Sequence, residues 1–248
     1  MKPRHLNIVL VCIFLNILIS SCGADSSTDS TTSTSTTSTT VTASTTSTTV
    51  TASSTSVLSA ADTYRSPIVI NGLEITSKTD LSYVNLVGVD LSRLLIIYSK
   101  MTFANLTGAN LAYTNFTGSY LVNSKLKNAN LTGTGFFGVN LTNANMRGAI
   151  IKETYFTDAI LVGANFSNTD LRGTDFSYAD MRKLDLSGHD LTGSDLSHTR
   201  LTGANLMNTD LSNVDLRYAD LRGANLEGAR LKDVRFQGAR MQDGTIHP

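Results

Sequence analysis

A large apolar residue stands at Leu81 and at every fifth position from there to Ile246, 34 centres in all, each of them Leu, Ile, Met or Phe. Two residues before the centre the side chain is small in 31 of the 34 pentapeptides; Leu94, Leu184 and His189 are the departures. Neither regular element explains a period of five. On a helix, five residues advance about 140° beyond a full turn, which scatters the centres around the axis. On a straight strand five is odd, so they alternate between faces. A chain that turns a corner once per pentapeptide points every centre, and the small residue two before it, into one closed interior.

The number of sides follows from a longer rhythm. Phe occupies the centres at 116, 136, 156 and 176, with Thr114, Thr134, Thr154 and Thr174 two residues earlier. A super-period of 20 means four sides per coil, so the four rings stack along one interior edge. With about 4.8 Å per coil, about eight coils make a rod roughly 40 Å long. The position two after each centre is rich in Gly and Asn. Gly108, Asn128, Gly148, Asn168, Gly188, Asn208 and Gly228 fall 20 apart and line one corner. These residues tolerate the positive φ of a type II turn.

The stretches ANLTG, ADLRG, ANLEG and TDFSY (from Ala104, Ala219, Ala224 and Thr174) resemble the pentapeptide-repeat family and its A(D/N)LXX consensus. The resemblance covers roughly 79–246 and implies an all-β chain, a right-handed quadrilateral β-helix. Leucine-rich repeats are the other solenoid to weigh, but their spacing is uneven within each longer unit.

Upstream the chain changes character. A basic start, MKPRH, precedes a 14-residue apolar run from Leu6 to Ile19. As a helix that run reaches roughly 21 Å, too short to span a bilayer, and it has the pattern of a secretory signal. Ile19-Ser20-Ser21-Cys22 resembles a bacterial lipoprotein lipobox. The resemblance implies removal of residues 1–21 as a signal peptide and lipid attachment, palmitate included, to Cys22. Gly23 after the cysteine points, by the same analogy, to the outer membrane. Residues 22–61 read as a disordered Ser/Thr-rich linker that holds the tandem nonapeptide TTSTTVTAS at 36–44 and 45–53. Such composition cannot bury enough apolar area to offset its ordering entropy. Residues 62–78 read as an N-terminal cap segment and 79–248 as the repeats.

Charge narrows the function. Lys plus Arg and Asp plus Glu are 20 each, so no net field selects nucleic acid. No nucleophile with its base, phosphate loop or Cys/His metal motif stands out, so the reading is no enzyme, no cofactor and no metal. His189 and His198 lie near Asp185, Asp190 and Asp195, but His189 reads as filling a small-residue slot, with a local bulge, and His198 as a solvated corner. Asn-Leu-Thr and Asn-Phe-Thr sequons at Asn105, Asn115, Asn130 and Asn140 read as by-products of the repeat.

Two surfaces remain. Asp170, Asp190 and Asp210 form one acidic column and Asp175, Asp195 and Asp215 another, either solvated ladders or a face for a partner. Leu95, Ile97 and Tyr98 near the N-terminal end read as a capping or self-association surface. Ile150, Tyr155 and Ile160 are three consecutive outward apolar positions. No C-terminal cap is evident, so the locally basic last coil is open to end-to-end packing into a homodimer. The function expected is a non-catalytic, exported module, anchored to the membrane through lipid on Cys22, that binds a protein partner in the bacterial cell envelope. The alternative, implied by a branch of the family, is a DNA-mimicking, topoisomerase-binding protein of the quinolone-resistance type.

Overall fold

The computed structural model describes residues 37–43, 48–54, 64, 67–70 and 72–248. Strand β1 (Thr37–Ala43) pairs antiparallel with β2 (Thr48–Ser54), with Val41 opposite Val50. The partners are the two copies of the nonapeptide, a pairing that the linker reading did not anticipate. A second hairpin, β3 (Ile68–Ile70) with β4 (Leu73–Ile75), buries Ile68, Ile70 and Ile75 in the same apolar cluster as the repeats.

From Asp80 to Arg240 the chain winds as a square coil in which parallel bridges join a residue to the one 20 further on, such as Asp80 to Lys100 and Asp220 to Arg240. One pentapeptide shows why the pattern needs five positions. Asn110 N–H donates to Val89 O of the preceding coil (2.9 Å). Leu111 and Tyr113 N–H donate to Asn130 O and Thr132 O of the following coil (both 2.8 Å). Thr114 N–H closes the turn onto Leu111 O (3.0 Å). The remaining amide, Ala112, donates to the Asn110 side chain (3.3 Å). Every main-chain donor of the unit is thereby used, as burial requires.

The corners turn as the Gly/Asn column predicts. The residue two after the centre has positive φ at every corner from Tyr83 to Gly238, including Glu153, Asp158 and Lys183. Inside, all centres from Leu81 to Leu221 are buried. Phe116, Phe136, Phe156 and Phe176 form one stack, with centroids 5.2–5.5 Å apart. Phe166, half a coil from Phe156 and Phe176, meets both edge-on at 5.7 and 6.0 Å. Beneath the stack, Thr114, Thr134 and Thr154 hydroxyls donate to carbonyls 23 residues earlier (2.6–2.8 Å), so a polar side chain is buried with its bond made.

Two expectations are corrected. Ile246 is not a 34th centre: it is 65% exposed and pairs antiparallel with Arg240. The tail reverses at Gly244 (φ 89°), and His247 exchanges hydrogen bonds with Gly238 and Ala239, so the last coil has a partial cap. Ile150, Tyr155 and Ile160 are exposed, as their outward positions predict. Each bridges a different column, so they sit on three successive sides of one coil.

Candidate interaction surfaces

Cys22 and the signal run lie outside the described residues. The predicted surface residues lie within them and can be placed.

The acidic positions are first of all turn residues. Asp or Asn before the centre accepts, through Oδ1, the amide two residues on: Ser177 for Asp175 (2.9 Å), Thr192 for Asp190 (2.9 Å), Ser197 for Asp195 (2.9 Å) and Ser212 for Asp210 (3.0 Å). This bond does not depend on the carboxylate charge, which is why Asn serves equally. It also explains the sequons, since the hydroxyls of Thr107, Thr117, Thr132 and Thr142 donate to the Asn two residues before at 2.6–2.7 Å.

Bridges align Asp190 with Asp210, and Asp175 with Asp195 and Asp215, on adjacent sides. Asp170 has no bridge to Asp190 and pairs sideways with Arg172, Nη2 to Oδ2 at 2.5 Å. Arginine ends both columns, at Arg230 and Arg235, and pairs with acids beside and below it. Asp215 faces Arg217 (2.6 Å) and Arg235 (3.8 Å), and Asp180 faces Arg182 (2.7 Å) and Arg200 (3.6 Å). Partial burial pushes the Asp180 and Asp215 carboxyls up, but their arginine hydrogen bonds outweigh it and hold both below the usual carboxylate range. The Arg222 hydrogen bond holds Asp220 down to about 2.

Aromatic residues mark the corners. Tyr178, His198 and Tyr218 stack at 4.5 and 4.8 Å, so His198 sits between two rings on its exposed corner. Tyr98, Tyr113 and Tyr218 each lie over the glycine 20 residues on, where a Cβ would meet the ring at about 2.5 Å. The sequence carries that signal as Tyr–Gly pairs at a spacing of 20. Of the predicted self-association residues, Leu95 and Ile97 are half-buried and only Tyr98 is well exposed. Leu95 O accepts from Ser77 Oγ (3.2 Å) and Ile97 O from Lys78 N–H (2.8 Å), which ties both to the segment entering the coil.

The ladder splits beside His189. Its ring nitrogens lie 3.2 Å from Ser187 O and 3.1 Å from Phe166 O, so the imidazole bridges two coils where a small residue belongs. No bridge joins 165 to 185, 150 to 170 or 170 to 190. A cleft of about 300 Å³ opens there, lined by Ala164, Asn165, Ser167, Asp185, Ser187 and His189. Leu184, the neighbouring oversized residue, is fully buried. Among the described residues no cluster of His, Cys, Asp and Glu is arranged to hold a metal ion.

Comparison with curated proteins yields no match. Among solved structures, the chain is similar to HetL, a pentapeptide repeat protein involved in heterocyst differentiation regulation from the cyanobacterium Nostoc sp. strain PCC 7120. The identity is 30%, over 69% of this chain and 86% of that one, with a TM-score of 0.37. QnrB1, a plasmid-mediated fluoroquinolone resistance protein, is 21% identical over 63% of this chain and 91% of its own, with a TM-score of 0.27. A pentapeptide repeat protein of the Arabidopsis thaliana thylakoid lumen is 22% identical over 58% and 72%, with a TM-score of 0.21. The family model described as pentapeptide repeats matches in eight copies, in overlapping segments that run from 77–112 to 209–244. With the square coil and its consensus turn positions, that match makes the chain a member of the pentapeptide-repeat family.

Proposed function

We propose that the protein is a non-catalytic, membrane-tethered interaction or structural module of the bacterial cell envelope. The order of parts along the chain carries this reading: an apolar run from Leu6 to Ile19, Cys22 shortly after it, a Ser/Thr-rich stretch, then the coil. Lipid on Cys22 holds the chain at a membrane, since each buried methylene contributes about 0.8 kcal/mol. The Ser/Thr-rich stretch between Cys22 and Asp62 spaces the coil from that anchor. The coil supports a binding role over a catalytic one because its interior is filled with centres and its carboxylates are committed to turns and arginines.

The same pairing bears on the DNA-mimic alternative. A mimic of a phosphate backbone needs carboxylates without counter-charges. Here Asp180 and Asp215 each face two arginines, and the whole chain is neutral. The deciding experiment fractionates the tagged protein beside Cys22→Ser after labelling with a palmitate analogue. The envelope reading expects a labelled membrane protein that loses both label and location in the variant. An unlabelled wild-type protein in the cytoplasm refutes it and moves the topoisomerase reading forward.

A further inference from the structure

Each coil is completed by the one that follows it, and among the described residues none pairs with the outer edge at 226–236. On its two sides from Leu226 to Phe236, the amides of Leu226, Gly228, Leu231, Asp233 and Phe236 have no hydrogen-bond acceptor among the described residues. The carbonyls of Ala229 and Val234, which face the same way, have no donor. The folded-back tail serves only the side at 238–241. The apolar side chains report the same opening. Leu231 is 43% exposed and Leu226 and Phe236 are half-buried, whereas the centres before them are closed to solvent. An unpaired rung with apolar centres is a template for another strand.

Charge selects what that strand carries. Arg230 and Arg235 stand before the centres of the two open sides, 79% and 71% exposed. Each continues an acidic column, Arg230 below Asp190 and Asp210, Arg235 below Asp195 and Asp215. Their contacts to Asp210 (3.4 Å) and Asp215 (3.8 Å) are long and leave the other face of each guanidinium to solvent. A second copy of this chain meeting rung to rung sets arginines against arginines, and like charges opposite one another across a strand pair destabilise it. An acid in that place sets each arginine between two carboxylates, as Arg200 already stands between Asp180 and Asp220 in another column.

We propose that the open rung docks an extended segment of a partner protein by strand addition, with Asp or Glu opposite Arg230 and Arg235 and apolar residues against Leu226, Leu231 and Phe236. This rests on reading the coil as an interaction module, and it names the end of the coil at which the interaction occurs. It does not depend on the lipid.

The test uses the full chain and two synthetic peptides, each of two pentapeptide units, with Asp before the centres in one and Lys in the other. Fluorescence anisotropy is expected to show binding of the Asp peptide and about tenfold weaker binding of the Lys peptide. The double variant Arg230→Glu/Arg235→Glu should invert that order, a gain that misfolding cannot produce. Because reversal sets new acids beside Asp210 and Asp215, Arg230→Gln/Arg235→Gln serves as a second variant that abolishes the preference without like-charge contacts. Equal binding of the two peptides, or a preference unchanged in both variants, overturns the proposal. So does a dimeric mass in solution with the Leu231 amide already protected, because a second copy then covers the rung. Membrane fractionation of Cys22→Ser is unaffected by any of these outcomes, so failure here and failure of the tether are distinguishable.

Discussion

Replacing His189 with alanine should stabilise the protein, although it removes a side chain that bridges two coils. The regular ladder pairs Phe166 N–H with Asp185 O, Asn168 N–H with Ser187 O, Asp185 N–H with Ala164 O, Leu171 N–H with Asp190 O and Asp190 N–H with Thr169 O. None of these five bonds forms here, while the corresponding bonds form in coils further along, such as Leu186 N–H to Asn205 O at 2.9 Å. A buried main-chain hydrogen bond contributes about 0.5–1.5 kcal/mol net, and amides in an open cleft already gain part of that from water. Five bonds restored at about 0.5 kcal/mol each, less the two imidazole contacts at the same value, leave a gain of about 1.5 kcal/mol. Urea unfolding should therefore shift to a higher midpoint with an unchanged slope, and exchange at the Asn168 and Asp185 amides should slow. A variant destabilised by about 2 kcal/mol, with those amides still exchanging freely, refutes the reasoning. His189 would then be holding the coils together, not apart.

Other substitutions separate the contributions to the fold. Gly133→Ala and Gly108→Ala both place a Cβ at φ near 65°, at a cost of about 1 kcal/mol, but only Gly133 has the Tyr113 ring at 2.5 Å. Gly133→Ala should cost about 1 kcal/mol more in urea unfolding, and Tyr113→Ala in the same chain should remove that excess; equal costs for the two glycines would count against the ring-on-glycine packing. Asp195→Asn keeps the acceptor for Ser197 N–H and should be near neutral, whereas Asp195→Ala should cost about 1 kcal/mol in the same assay. Acid should weaken the coil. Asp180, Asp215 and Asp220 have folded values below the ordinary value of about 4, so their contribution is present above that pH and lost as pH falls below it, for Asp220 towards about 2. Thermal midpoints should drop across that window, and less steeply in Arg217→Gln.

The five-residue rhythm, the four sides and the Gly/Asn corners were legible because each states a steric requirement that repeats. Less legible was what depends on distances across coils. Asp175 and Asp195 read as a charge column, since a sequence shows the carboxylate and not the amide 2.9 Å from it. Phe166 breaks the 20-residue phenylalanine rhythm, so its edge-on contact across the interior carried no periodic signal. Ile246 kept the rhythm and still left the core, because Asp243–Gly244 is a turn signal that ends the coil. His189 was readable as a misfit in a small-residue slot; the extent of the split, from Ile150 to Asp190, was not.

Residue-resolved amide exchange across the last two coils tests the account most directly. The amides of Arg230 and Arg235 donate to Thr209 O (2.9 Å) and Val214 O (3.0 Å) of the preceding coil, while those of Leu231, Asp233 and Phe236 have no acceptor among the described residues. The account predicts slow exchange at Arg230 and Arg235 beside fast exchange at Leu231, Asp233 and Phe236, with protection of all five once an acidic peptide is added. Uniform protection of these amides in the isolated protein would contradict it, because the rung would already be closed.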